Sequence, residues 1–96
     1  MIIPGPSSIP AADVTHIRMC AAPGRGIVEM VREDLLPAAI QTRNAYLNAI
    51  SVAMAMGCST NAVIHVVAMA RRAGHDITLD DFDEASRKVP VIANIR

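Results

Sequence analysis

Asn44-Ala45-Tyr46-Leu47-Asn48-Ala49-Ile50-Ser51-Val52-Ala53-Met54-Ala55-Met56-Gly57-Cys58-Ser59-Thr60-Asn61-Ala62-Val63-Ile64-His65-Val66-Val67-Ala68-Met69-Ala70 contains no Asp, Glu, Lys or Arg. A charge-free run of this length raises the question of a membrane span, which needs about 20 consecutive apolar residues. Gly57-Cys58-Ser59-Thr60-Asn61 divides it into two pieces, each too short to cross a bilayer as a helix. The reading is therefore two core helices and no membrane partner. Thr42 is a plausible N-cap for the first, Arg43 to Met56, which Gly57 ends. Its Asn44, Asn48 and Ser51 fall on one narrow polar stripe opposite Leu47, Ile50 and Met54. Ser59 can cap the second, Thr60 to Ala73, stopped by Gly74, with Asn61, His65 and Arg72 on a similar stripe.

Working outward, Thr78-Leu79-Asp80-Asp81 resembles a capping box with Asp in place of Glu, and opens a short acidic helix over 79–86. Val89-Pro90-Val91-Ile92-Ala93-Asn94-Ile95 is β-branched and reads as a strand over 89–95, with Pro90 tolerable near its start or on an edge. A lone strand leaves its N–H and C=O groups unpaired, so it wants a sheet supplied from elsewhere. Towards the other end, residues 1–9 are rich in Pro, Gly and Ser and read as a loop. Pro10 suits a first helical turn. Pro23-Gly24 should then interrupt the helical pattern over 10–33, because proline donates no N–H and clashes with the preceding turn. The fold class expected is mainly α: four to five helices with a C-terminal strand, forming a segment of a larger α/β domain.

Composition narrows the partners. Nine basic residues balance nine acidic ones, so no long-range field gathers nucleic acid or an anionic surface. With 52 % hydrophobic residues and only Tyr46 and Phe82 aromatic, Ala, Val, Ile and Met must fill the core. Cys20 and Cys58 form no CxxC pair, and the opening Met1-Ile2-Ile3-Pro4 is unlike a secretory leader, so a reducing cytoplasm is expected. The uncharged helices expose little hydrophilic surface, which predicts self-association through exposed apolar helices or the terminal strand.

Three runs in order, Gly57 to His65, Ala73 to Asp83 and Ser86 to Val91, closely resemble the dihydroxy-acid and phosphogluconate dehydratase family. Pro4 to Pro10, Gly26 to Met30 and Thr42 to Ile50 resemble the family sequence just upstream. The resemblance implies a hydro-lyase that dehydrates 2,3-dihydroxy or aldonic acids to 2-keto-3-deoxy acids, with a small sugar or hydroxy acid as substrate. The Pro4 to Met30 stretch leans towards the sugar-acid branch. An iron–sulfur cluster and magnesium are implied for the complete enzyme, where a metal polarises the departing hydroxyl. None is expected to be bound by this chain. The family's cluster cysteines, acidic ligands and general-base serine have no counterpart here, and Cys20 and Cys58 do not match them. No catalytic and no metal-binding residue is therefore assigned, and the chain alone is expected to be an inactive fragment. Two departures stand out: Cys58 replaces a second glycine, and Pro23-Gly24 falls where the family helix continues.

Ser59, Thr60 and Asn61 open a helix, where free N–H groups and the positive end of the dipole suit a carboxylate or phosphate. They are the expected substrate-lining residues, against the plainer reading that Ser59 only caps. Cys58 beside them is either a thiol of lowered pKa or a small buried filler. His16, His65 and His75 lack metal-ligand spacing, and Asp80, Asp81, Asp83 and Glu84 lack the glycine and later Glu of an EF-hand. Other function classes compete. One is a small helical interaction module. Another is a helix-turn-helix with Ala53, Gly57 and Val63 at its offsets, disfavoured because its reading helix offers Ala62, Val63, Ile64, Val66 and Val67 in place of Arg, Gln or Asn.

Overall fold

The computed structural model describes residues 9–92, which hold five helices and no strand. They are α1 (Val14–Arg32), α2 (Pro37–Ile40), α3 (Arg43–Ala55), α4 (Thr60–Arg72) and α5 (Leu79–Lys88). Two compact units divide the chain, one up to Leu36 and one from Pro37. Most of the loop expected over 1–9 lies outside the described residues.

The second unit owns the core. Tyr46 and Ile50 of α3, Ala70 of α4, Ile77 of the α4–α5 connection and Phe82 of α5 are buried. Leu47, Met54, Val63, Val66, Val67, Ala73 and Ala85 pack around them. α3 lies against both α4 and α5, most extensively against α5. Ile, Ala, Val and Met fill most of this core, as composition leads one to expect, and both aromatic residues are buried among them. Two rings suffice because each aromatic side chain buries on the order of 150–250 Å².

Local chemistry sets the helix ends. Thr42 Oγ1 accepts the Ala45 N–H at 3.2 Å, closing the start of α3. Asp81 accepts the Thr78 N–H at 2.9 Å across the first turn of α5, and its other oxygen takes Arg43 at 2.9 Å, joining the starts of α3 and α5. Gly57 and Gly74 adopt left-handed φ of 64° and 81° after α3 and α4. The N–H groups of Gly57 and Cys58 then reach Met54 and Ala53 carbonyls, and those of Gly74 and His75 reach Arg71 and Ala70. Both are Schellman closures, which satisfy carbonyls that a helix end leaves free. Cys58 in place of glycine causes no strain, because the preceding Gly57 takes the left-handed position and Cys58 keeps an ordinary φ.

In the first unit the expected interruption at Pro23-Gly24 is absent, for α1 runs unbroken from Val14 to Arg32 with Pro23 inside it. Proline removes one bond, to the Met19 carbonyl, at a cost of about 3 kcal/mol. α1 buries no residue, so water can take up a displaced carbonyl bond, and the remaining turns hold the helix. Asp13 caps its start by accepting the Thr15 N–H at 2.7 Å. Asp34, at φ 52°, closes its end in the same Schellman manner, with the Leu35 N–H on the Met30 carbonyl at 2.8 Å.

No strand is formed over the described part of the 89–95 run. Val89 to Ile92 follow α5 without helix or sheet, and 93–95 lie outside the described residues. The Val89 N–H closes α5 on the Ala85 carbonyl, and the Ile92 N–H donates to the Ala55 carbonyl at 2.8 Å. A strand needs a neighbour for its ladder, and none is among the described residues. α2 is a single turn started by Pro37, because proline at a first helical position needs no N–H acceptor.

Candidate functional site

The α3–α4 connection, Gly57 to Asn61, holds the expected site residues together at one end of the second unit. Ser59 occupies the N-cap position of α4 with extended backbone (φ −75°, ψ 155°), but its hydroxyl makes no capping bond. That corrects the expectation of an ordinary serine cap. The Ala62 N–H turns back to the Ser59 carbonyl at 3.0 Å, while the first N–H groups of any helix have no partner within it. Ser59, Thr60 and Asn61 are all exposed. A helix start with its serine hydroxyl unspent and its amides facing outward can accept a carboxylate or phosphate oxygen.

Cys58 is half-buried under this turn. Its N–H is spent on the Ala53 carbonyl at 3.0 Å. The Ile92–Ala55 bond brings the extended segment after α5 back to the end of α3, two residues before Gly57. Ile92 is thereby held at the end of α3 that leads into the turn carrying Ser59.

A second polar group lies at the joint of α2, α3 and the end of α4. His75 Nε2 sits 2.6 Å from the Gln41 carbonyl. A carbonyl only accepts, so Nε2 carries the proton. The Tyr46 hydroxyl donates to Gln41 Oε1 at 3.1 Å, and the Tyr46 and His75 rings lie 5.8 Å apart at 58°. His75 lacks metal-ligand spacing and instead clamps segments 34 residues apart. Nothing in its spacing gives that away.

Between α3 and α5 a shallow groove of about 160 Å³ is lined by Leu47, Ile50, Ser51, Asp81, Glu84, Ala85 and Lys88. Its polar groups are committed: Ser51 to the Leu47 carbonyl at 2.9 Å, Asp81 to Arg43, and Glu84 to Lys88. It is smaller than the roughly 300–1,000 Å³ of ordinary ligand pockets.

The donor set does not fit an iron–sulfur cluster or a magnesium ion. Among the described residues no three His, Cys, Asp or Glu side chains are grouped to hold a metal. Cys20 is exposed on α1 and Cys58 half-buried after α3. The acidic turn Asp80 to Glu84 spends Asp81, Asp83 and Glu84 on Arg43, Arg87 and Lys88. Nor is any helix among the described residues long and apolar enough to cross a membrane.

The sequence matches, over residues 1–96, the family described as dihydroxy-acid/6-phosphogluconate dehydratase N-terminal. It is 50 % identical over 93 residues to a 6-deoxy-6-sulfo-D-gluconate dehydratase of Pseudomonas putida, covering 97 % of this chain and 16 % of that protein. To a dihydroxy-acid dehydratase of Halothermothrix orenii it is 45 % identical over 95 residues, covering 99 % of this chain and 17 % of that protein. To an L-arabinonate dehydratase of Rhizobium leguminosarum bv. trifolii it is 46 % identical over 95 residues, 99 % of this chain and 16 % of that protein. The chain thus spans about one sixth of the length of the curated relatives it matches.

Proposed function

The chain belongs to the dihydroxy-acid/6-phosphogluconate dehydratase family, and from that premise we propose that it serves as one stretch of a cytoplasmic hydro-lyase acting on a sugar acid. The observation that carries this reading is the family match along the whole chain, joined to identities of 45 to 50 % with dehydratases of both substrate branches. The higher figure, to a sulfo-gluconate dehydratase, favours the sugar-acid side. The reaction removes water from a 2,3-dihydroxy or aldonic acid and yields a 2-keto-3-deoxy acid. Its metal chemistry, an iron–sulfur cluster with magnesium, belongs to residues outside this chain, and no step of it is assigned here.

This stretch contributes the turn at the start of α4. Ser59, Thr60 and Asn61 line the carboxylate end of the substrate, which the uncommitted Ser59 hydroxyl and the outward amides support. The run from Val89 continues as a strand in the sheet of a larger α/β domain. The exposed Val52, Met56, Ile64, Met69, Val91 and Ile92 are covered there by neighbours or, in the isolated chain, by self-association.

A dehydratase carrying this chain in place of its own matching stretch tests the lining. Removing a hydrogen bond to a charged group costs about 1.5–3 kcal/mol. Ser59→Ala with Asn61→Ala should therefore raise KM for an aldonic acid by about tenfold or more while the cluster's absorbance stays unchanged. An unaltered kcat/KM would remove these residues from the site. Turnover of an aldonic acid by the 96-residue chain alone, after cluster reconstitution with magnesium, would contradict its assignment as a contributing stretch.

A further inference from the structure

The closure after α3 takes the Ala53 and Met54 carbonyls, through the Cys58 and Gly57 N–H groups. The Ala55 carbonyl, next along the helix, lies beyond that closure, and the Ile92 N–H reaches it from the other end of the unit's sequence at 2.8 Å. The residues before Ile92 leave little slack. Val89 is extended (φ −95°, ψ 121°), and its N–H is bonded to the Ala85 carbonyl at 2.8 Å, so the span begins fixed to α5. Pro90 has a set φ and confines Val89 before it to extended backbone. Only Pro90 and Val91 therefore separate a residue held by α5 from one held by α3. Side chains add little to this link, because Val91 is 65 % exposed and Ile92 77 %. It is made by backbone.

We propose that the Ile92 backbone N–H is a positioning group for the turn from Gly57 to Asn61. By holding the Ala55 carbonyl, it sets where α3 ends and hence where Ser59, Thr60 and Asn61 are presented. The inference rests on the assignment of those three residues to the substrate's carboxylate end. The turn needs an outside hold for two reasons. Gly57, at φ 64°, is the residue type whose backbone is least restrained. The Ser59 hydroxyl, which could have fastened the start of α4, makes no capping bond. A segment that runs on from Ile92 into a sheet would thus pass the placement of that sheet to the substrate-lining turn.

Amide hydrogen exchange of the 96-residue chain tests the link. Cys58 reports on the turn, because its N–H is bonded to the Ala53 carbonyl at 3.0 Å. His75 is the reference: its N–H closes α4 on the Ala70 carbonyl at 2.8 Å in the same manner, at the far end of α4. Ile92→Pro removes the donor, and loss of one ordinary hydrogen bond should speed Cys58 exchange about two- to tenfold, with His75 unchanged. Pro90→Gly keeps the donor and loosens the span, for an increase of about two- to fivefold. Ile92→Ala keeps both donor and span, so Cys58 exchange should stay as it is.

In a dehydratase carrying this chain, Ile92→Pro should raise KM for an aldonic acid about two- to tenfold while kcat holds, the pattern of lost uniform binding. Cys58 exchange that ignores Ile92→Pro, equal acceleration at Cys58 and His75, or a lower kcat at unchanged KM would each overturn the proposal. The lining fails separately. If Ser59→Ala with Asn61→Ala leaves kcat/KM unaltered while Cys58 still responds to Ile92→Pro, the lining is refuted and the backbone link is upheld.

Discussion

The unit from Pro37 encloses a core of its own, with Ile50 and Ile77 fully shielded from water, whereas the 19-residue α1 shields not one of its residues. Both regions are helical and both are rich in Ala, Val, Ile and Met. The difference lies in what can be folded over. α3, α4 and α5 are joined by short connections closed by Gly57 and Gly74, so their apolar sides meet each other. α1 has an apolar side as well, yet none of its residues is buried. Helix formation and core formation are thus separate achievements, and the second depends on neighbours.

Truncating a large side chain in each region should separate them most sharply. Phe82→Ala removes a buried ring, and such changes cost about 3–5 kcal/mol. A unit of this size has on the order of 3–9 kcal/mol in total, so much of its cooperative unfolding transition in urea should vanish. Ile17→Ala removes a side chain that is 69 % exposed, and surface changes of this kind stay within about 0.5 kcal/mol. Circular dichroism measures both. Comparable losses would mean that α1 belongs to the same cooperative core.

A glycine-to-alanine pair probes the backbone instead. Gly74 has φ 81°, where a Cβ costs about 1–2 kcal/mol. Gly26 lies inside α1 with open space around it, where alanine should strengthen the helix by up to about 1 kcal/mol. Opposite signs in thermal melts are expected for Gly74→Ala and Gly26→Ala. The same sign for both would show that space, and not φ, governs these positions.

Legibility from sequence follows the same division. The starts at Thr42, Ser59 and Thr78 and the stops at Gly57 and Gly74 could be read because each is decided by a few adjacent residues. The Pro23 break could not, since proline's penalty is local while the continuity of α1 rests on the turns either side. The strand over 89–95 depends on a partner that β-branched residues imply but cannot supply, and Ile92 instead meets Ala55. For the site, sequence placed Ser59, Thr60 and Asn61 at a helix start. It could not say that the Ser59 hydroxyl would stay uncommitted, because capping turns on a rotamer as well as on residue type.

The smallest expected effect concerns the cap of α1. Asp13 is held below its ordinary value of 3.8, chiefly by the hydrogen bond that its carboxylate accepts from the Thr15 backbone N–H. A carboxyl whose folded value is depressed gives its stabilisation in full above the unfolded value, and loses it as pH falls through the folded one. Acidifying the chain from pH 5 should therefore leave the Thr15 amide signal unmoved until the carboxylate range is passed, and then shift it as the cap releases. The core amides of α3 to α5 provide the internal reference. Asp13→Asn keeps an accepting oxygen without a titrating charge, so it should flatten the response at Thr15. Because the group is fully exposed, salt and water screen it, and the change should be confined to the first turn of α1. A Thr15 amide that titrates identically in Asp13→Asn would place the transition elsewhere and leave α1 uncapped by this side chain.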